Sequence, residues 1–218
     1  MPSSPNRPNI LFITSDQQRA DCYGFAGRKV RTPHLDQLAR DGTHFSACIT
    51  PNLVCQPSRA SILTGMLPLT HGVVDNGVDL PAATGALGFA GALAAAGYDT
   101  AFLGKAHFST ANTFAATGTA ECRNSSGSFP PSWHGPYMGF DHAELMALGP
   151  VPPHAAHPAP SGTPLRALAV LTPRRNGGLR PVEVRDPAGQ RCGADLEVRA
   201  AGGWEMKMVL PVKPPGAR

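Results

Sequence analysis

Over its first 110 residues the chain alternates short apolar runs with segments of helical character, and this alternation most narrows the folds open to it. Asn9-Ile10-Leu11-Phe12-Ile13-Thr14 is continuously apolar at its centre, the pattern of a strand buried on both faces. It stops at Ser15-Asp16-Gln17-Gln18. Thr32-Pro33 then supplies an N-cap and a proline at the first helical position. Leu35, Leu38 and Ala39 form an apolar stripe, and Gly42 ends the helix. Residues 43–49 can return as a strand. Residues 57–63 read as a short helix opened by Pro57-Ser58, and residues 87–96 as an Ala/Leu helix closed by Gly97. Residues 98–103 give another strand that ends at Gly104-Lys105. This order implies an α/β architecture with a largely parallel sheet sandwiched by helices.

Beyond this region the character changes twice. Residues 108–140 are polar and mix Gly, Pro and aromatics without period, so an ordered excursion of loops is expected. Residues 1–149 carry nine Lys and Arg against ten Asp and Glu, whereas residues 150–218 carry ten against five and hold 12 of the 23 prolines. The net charge of +4 and the pI near 9.0 therefore belong to the second part. Pieces at 167–171, 181–184, 196–198 and 208–212 can form short strands, but their Arg, Pro and Gly flanks specify no fold. The expected division is thus 1–149 and 150–218. A shift of this kind is what a change of reading frame in GC-rich coding DNA produces, which makes an apparently truncated fold the expectation.

Several function classes fall away. Eight arginines scattered among prolines, with no aromatic platform or basic helix, argue against nucleic acid as a partner. No window approaches 18 uninterrupted apolar residues, so no membrane span or membrane partner is expected. The polar, Pro-rich first nine residues lack an apolar leader core. Five cysteines with no Cys-x-x-Cys pair point to reduced thiols, and the expected compartment is cytoplasmic.

Three polar groups fall where an open parallel sheet binds its ligands, beyond the carboxyl ends of its strands. They are Asp16-Gln17 after the first strand, Cys55 before a short helix, and Lys105 with His107 after the later strand. Singly, each has an ordinary reading. Asp16 can be a turn residue or helix cap rather than a hard oxygen ligand, Cys55 a small buried hydrophobe, Lys105 and His107 surface residues. Their convergence favours a site.

The local spelling narrows this further. Cys55-Gln56-Pro57-Ser58-Arg59, followed by Thr64-Gly65, resembles the sulfatase signature. Further stretches resemble the same family in the same order: Pro8-Asn9-Ile10 running into Asp16, Thr32-Pro33-His34-Leu35-Asp36, Pro68-Leu69-Thr70-His71-Gly72, Gly104-Lys105-Ala106-His107 and Gly139-Phe140-Asp141. The resemblance covers roughly residues 7–145. It implies an alkaline-phosphatase-like fold and metal-assisted hydrolysis of a small-molecule sulfate ester. In that family the cysteine is oxidised by a formylglycine-generating maturation enzyme, and the aldehyde hydrate is the nucleophile. Carried over, Cys55 is the nucleophile, and Asp16, Gln17 and matured Cys55 are metal ligands. The metal is Ca²⁺ first, with Mg²⁺ and Mn²⁺ as alternatives. Arg59 and Lys105 hold anionic oxygens, and His107 hydrogen-bonds the hydrate or takes its proton.

Departures from the pattern are informative. Leu53 and Gln56 are bulkier than the signature's usual small residues, and Gln17 stands where many sulfatases have a second Asp. The Asp16-Gln17 pair resembles the branch that contains phosphonate monoester hydrolases and choline-sulfatase-like enzymes. Sulfate, phosphonate and phosphate esters thus stay open as substrates, and a fold without turnover is the alternative to an active hydrolase. His34, His44 and His71 carry no assigned role, and Asp186 and Asp195 do not match the family's downstream ligand motif.

Overall fold

The computed structural model describes residues 7–16, 18–130, 133–145, 168–173, 195–199 and 205–209, the last three as backbone. The apolar run forms β1 (Ile10–Ile13). Five helices of four to ten residues follow: α1 (Pro33–Asp41), α2 (Cys55–Thr64), α3 (Pro68–His71), α4 (Ala82–Ala86) and α5 (Phe89–Ala95). Then come β2 (Tyr98–Gly104), β3 (His142–Leu145), β4 (Leu168–Pro173), β5 (Asp195–Arg199) and β6 (Glu205–Val209).

The α/β class is as expected, and β1, β2 and β3 run the same way. Among the described residues, however, only the β2–β3 ladder is parallel, with Ala101 opposite His142 and Gly104 opposite Leu145. β4 enters between β1 and β2 and is antiparallel to both, giving the order β1-β4-β2-β3. The sheet is therefore mixed where a largely parallel one was expected, because a strand from beyond residue 150 takes the central slot. Two of the other short strands expected there form the antiparallel hairpin β5–β6. Residues 181–184 lie outside the described residues.

Three local expectations change. β1 is an edge strand whose Phe12 and Ile13 are 40% and 52% exposed, so it is not buried on both faces. Residues 43–49 form turns and irregular chain rather than a strand, with Phe45 and Ile49 exposed, and no described strand lies alongside to pair with them. The helix expected at 87–96 starts later, at Phe89. Gly88 is its extended N-cap and packs so tightly on α2 that a Cβ there would lie 2.4 Å from the Leu63 carbonyl oxygen.

The core lies between α2, α5 and β2 and reaches into the loops after β2. Ala60, Leu63, Val73, Leu80, Ala90, Phe102, Phe108, Tyr137 and Phe140 are all buried. A relay of edge-on and tilted rings joins its parts. Phe12 meets Phe89 at 5.8 Å, Phe89 meets Phe140 at 5.9 Å, and Phe140 meets Phe102 at 5.2 Å. Such contacts add specific geometry to the apolar burial. The described residues of the segment 108–140 are ordered loop with one turn of 3-10 helix at Ser126–Ser128, as its composition implied. By contrast α1 has no buried residue: Leu35 and Leu38 are 44% and 67% exposed, so its apolar stripe faces outward among the described residues.

Candidate active site

β1 and β2 deliver their polar ends to the same place. Lys105, just past β2, donates from Nζ to both carboxylate oxygens of Asp16, at 2.9 and 3.1 Å. Arg59, one helical turn beyond Cys55 on α2, donates from Nη2 to Asp16 Oδ1 at 3.3 Å. Its other terminal nitrogen donates to the Lys105 carbonyl at 2.7 Å, which fixes the guanidinium plane. Arg59 and Lys105 are nearly buried, while the Asp16 side chain keeps 43% of its surface exposed. Partial burial pushes the Asp16 carboxyl upward, but the hydrogen bonds and positive charges of Lys105 and Arg59 outweigh it, and the net shift is downward. Asp16 is thus held ionised, and two cations face one anion. The mouth carries an excess positive charge suited to an anionic ligand.

His107 lies beside this group. Burial, reinforced by the positive charges of Lys105 and Arg59 and opposed by Asp16, pushes its pKa down to about 4. The ring is therefore neutral at physiological pH. Its Nδ1 is buried with no hydrogen-bond partner. The backbone at His107 has φ +52°, a left-handed conformation rare for a non-glycine residue and often tied to sites.

Glu121 holds that conformation in place. This residue is buried, and its carboxylate accepts the backbone N–H groups of His107, Phe108 (2.8 Å) and Ser109 (2.9 Å). It also accepts the Tyr137 hydroxyl at 2.6 Å and the Ser109 hydroxyl at 3.3 Å. Glu121 did not stand out in the sequence, since it lies 14 residues past His107 in an aperiodic stretch. Its run of convergent donors exists only in three dimensions.

Gln56 has a similar structural role next to Cys55. Fully buried, its amide donates to the Val78 carbonyl at 2.8 Å and accepts the Gly77 N–H at 2.9 Å. Its backbone N–H donates to the Asn76 side chain at 3.0 Å, so a neighbouring turn satisfies one of the free amides at the start of α2. The bulk that departs from the signature is used to fasten α2 to residues 76–78.

Asp16, Arg59, Lys105 and His107 are thus brought together, with half-buried Cys55 at the head of the helix that carries Arg59. Gln17 lies outside the described residues. His71, His34 and His44 stay apart from this cluster. His71 is buried, accepts the Val73 N–H on Nδ1 and pairs through Nε2 with Ser61 Oγ at 2.9 Å. His34 is exposed, and His44 meets the Phe25 ring edge-on. No helix among the described residues is long and apolar enough to cross a membrane.

The sulfatase family profile matches residues 8–142, well over half the chain and the stretch that builds this cluster. The chain belongs to the sulfatase family. It is 43% identical over 104 residues to an ulvan-active sulfatase of Formosa agariphila, covering 47% of this chain and 20% of that protein. To the uncharacterized sulfatase YidJ of Escherichia coli it is 32% identical over 142 residues, 65% of this chain and 26% of the other. It is also 40% identical over 104 residues to the multifunctional alkaline phosphatase superfamily protein PehA of Trinickia caryophylli, 45% of this chain and 20% of the other. This sulfatase-family chain therefore spans only a fifth to a quarter of the length of these relatives. No solved structure matches it.

Proposed function

We propose that the chain carries the nucleophile half of a sulfuric ester hydrolase site. In this reading Cys55, converted to formylglycine by a maturation enzyme that supplies the oxidant, is the nucleophile. The observation that carries it is the Asp16 carboxylate bridged by Lys105 at 2.9 Å and by Arg59 at 3.3 Å, Arg59 lying on the helix that Cys55 opens.

The chemistry follows from the groups present. Arg59 and Lys105 bind the sulfate oxygens, and their fixed positions orient the sulfur toward the head of α2. One hydroxyl of the aldehyde hydrate attacks sulfur as the bond to the alcohol oxygen breaks and the alcohol departs. Loss of a proton from the second hydroxyl then re-forms the carbonyl and expels sulfate, and water restores the hydrate. Neutral His107 is suited to accept that proton. Asp16, ionised and partly exposed, fits one hard-oxygen ligand of a divalent cation, which we read as Ca²⁺ with Gln17 and the matured Cys55 as further ligands. When bound, such a cation polarises the sulfate oxygens and offsets their charge.

A phosphonate or phosphate ester is the second reading, favoured by the likeness to the Trinickia protein, since the cationic pair accepts any tetrahedral oxyanion. The test is the full chain co-produced with a formylglycine-generating enzyme. An aldehyde on the Cys55 peptide by mass spectrometry, with turnover of aryl sulfate that Cys55→Ala removes without altering the fold, supports the reading. Hydrolysis retained by Cys55→Ala overturns it. Aldehyde present without turnover of sulfate or phosphonate esters assigns this chain to the fold without activity.

A further inference from the structure

At the β3 edge of the four-stranded sheet, three metal-ligating side chains meet that the hydrolytic site does not use. They are His134, His142 and Glu144, whose ligand atoms all lie within 4.8 Å of one another. Strand alternation explains two of them. Ala143 and Leu145 turn into the core, so His142 and Glu144 share the opposite, half-buried face, two residues apart. Their side chains already touch, with Nε2 of His142 3.1 Å from Oε1 of Glu144.

The third ligand arrives from the preceding loop and is held in register. The His134 carbonyl accepts the Ala143 N–H at 2.8 Å, which places its ring flat against that of His142, with centroids 5.2 Å apart and planes 9° from parallel. The intervening turn is tight. Gly135 has φ +109°, and a Cβ there would lie 2.9 Å from the Asp141 carbonyl oxygen, so the loop is pressed against the start of β3.

We propose that His134, His142 and Glu144 form a binding site for a borderline transition metal, Zn²⁺ in the first instance, that clamps this loop to β3. Two imidazoles and one carboxylate are a donor set that suits zinc and disfavours Ca²⁺, which prefers all-oxygen shells. A tetrahedral zinc with bonds of about 2.0–2.1 Å needs ligand atoms roughly 3.4 Å apart. The His142–Glu144 pair is near that spacing, and the remaining ligand atoms, all within 4.8 Å of one another, close on the metal when the exposed His134 ring turns out of its stack on His142. The fourth position is left to water. The site shares no residue with the Asp16, Arg59 and Lys105 group and does not depend on its function.

The test is zinc chloride titrated into the chelator-treated full chain, followed by calorimetry and by competition with a chromophoric chelator. One equivalent should bind to the unaltered chain and to Asp16→Asn alike. His134→Gln and His142→Gln should each weaken it by more than ~10-fold, since even outer-shell losses cost 10–100-fold. Glu144→Gln, which preserves shape, guards against misfolding and should weaken it in the same direction, with far-UV circular dichroism unchanged. Cobalt as the probe should give the absorption of a site with nitrogen ligands, lost in the same variants. No zinc uptake, uptake indifferent to all three substitutions, or uptake lost only in Asp16→Asn overturns the proposal.

Discussion

Asp16 and Glu121 both hold the chain just after β2, but one stands among cations in a partly open mouth and the other among backbone amides in the interior. Asp16 touches Lys105 and Arg59 and keeps much of its surface in water. Glu121 is enclosed by three N–H groups and two hydroxyls from residues 107–109 and 137. The difference separates two uses of a carboxylate. Asp16's partners are charged side chains that a ligand can exchange, whereas three of Glu121's five donors are main-chain N–H groups of residues 107–109 whose loss would rearrange the turn. The first is suited to chemistry and the second to keeping His107 in place.

That contrast breaks first if Glu121 is dispensable. Glu121→Ala leaves several buried donors without an acceptor, each costing about 1–3 kcal/mol, so a loss above ~3 kcal/mol is expected in chemical denaturation. A loss under ~1 kcal/mol would mean that water replaces the carboxylate and the cage is not structural. Gln56→Ala comes next. It strips a buried amide from the Val78 carbonyl and the Gly77 N–H, and ~2 kcal/mol is the expected cost. A neutral result would show the smaller residue of the family pattern to be as good a fastener.

Acid titration sharpens the comparison, because the two carboxyls are shifted oppositely. Asp16's folded pKa is lowered by Lys105 and Arg59 against partial burial, so its contribution is present above the unfolded value and disappears as pH falls through the folded one. Burial raises Glu121 despite its hydrogen bonds, so its contribution is present below the unfolded value and fades as pH rises through the folded one. Asp16→Asn should therefore reduce the loss of stability below the usual carboxylate range, measured as the denaturation midpoint against pH. A steeper acid loss in that variant contradicts the assignment. At neutral pH the same substitution should cost less than ~1 kcal/mol, since solvent screens a carboxylate this exposed. Smallest of all is Leu38→Ser on α1, expected within ~0.5 kcal/mol because the side chain is 67% exposed. A large loss there would reveal that α1 is covered in solution.

Much of the site was legible before the fold was known. A polar residue closing an apolar run, Cys55 just before a short helix opened by Pro57-Ser58 and a Lys-x-His after a strand mark positions that parallel strands bring to one end. Asp16, Arg59 and Lys105 do meet there. The helix itself starts two residues earlier than expected, at Cys55. Gln56 was visible only as a departure in size, and its amide bonds to residues 77 and 78 depend on a turn more than 20 residues away. Glu121 gave no signal, because a single acid in an aperiodic loop is distinguished only by the donors that surround it.

Local order was thus written in the sequence: period, proline placement and glycine punctuation marked β1, α1, α2 and β2 to within a few residues, although Thr32 makes no capping hydrogen bond to the α1 backbone and donates to Asp36 instead. These are short-range effects of backbone sterics and side-chain spacing. Only the tertiary structure decided that β4 enters the sheet between β1 and β2, leaving β1 as an exposed edge. Only it decided that Glu121 anchors the His107 turn and that His134 lies against His142. Each of these depends on contacts between segments far apart in the chain, where burial and the pairing of polar groups outweigh any local preference.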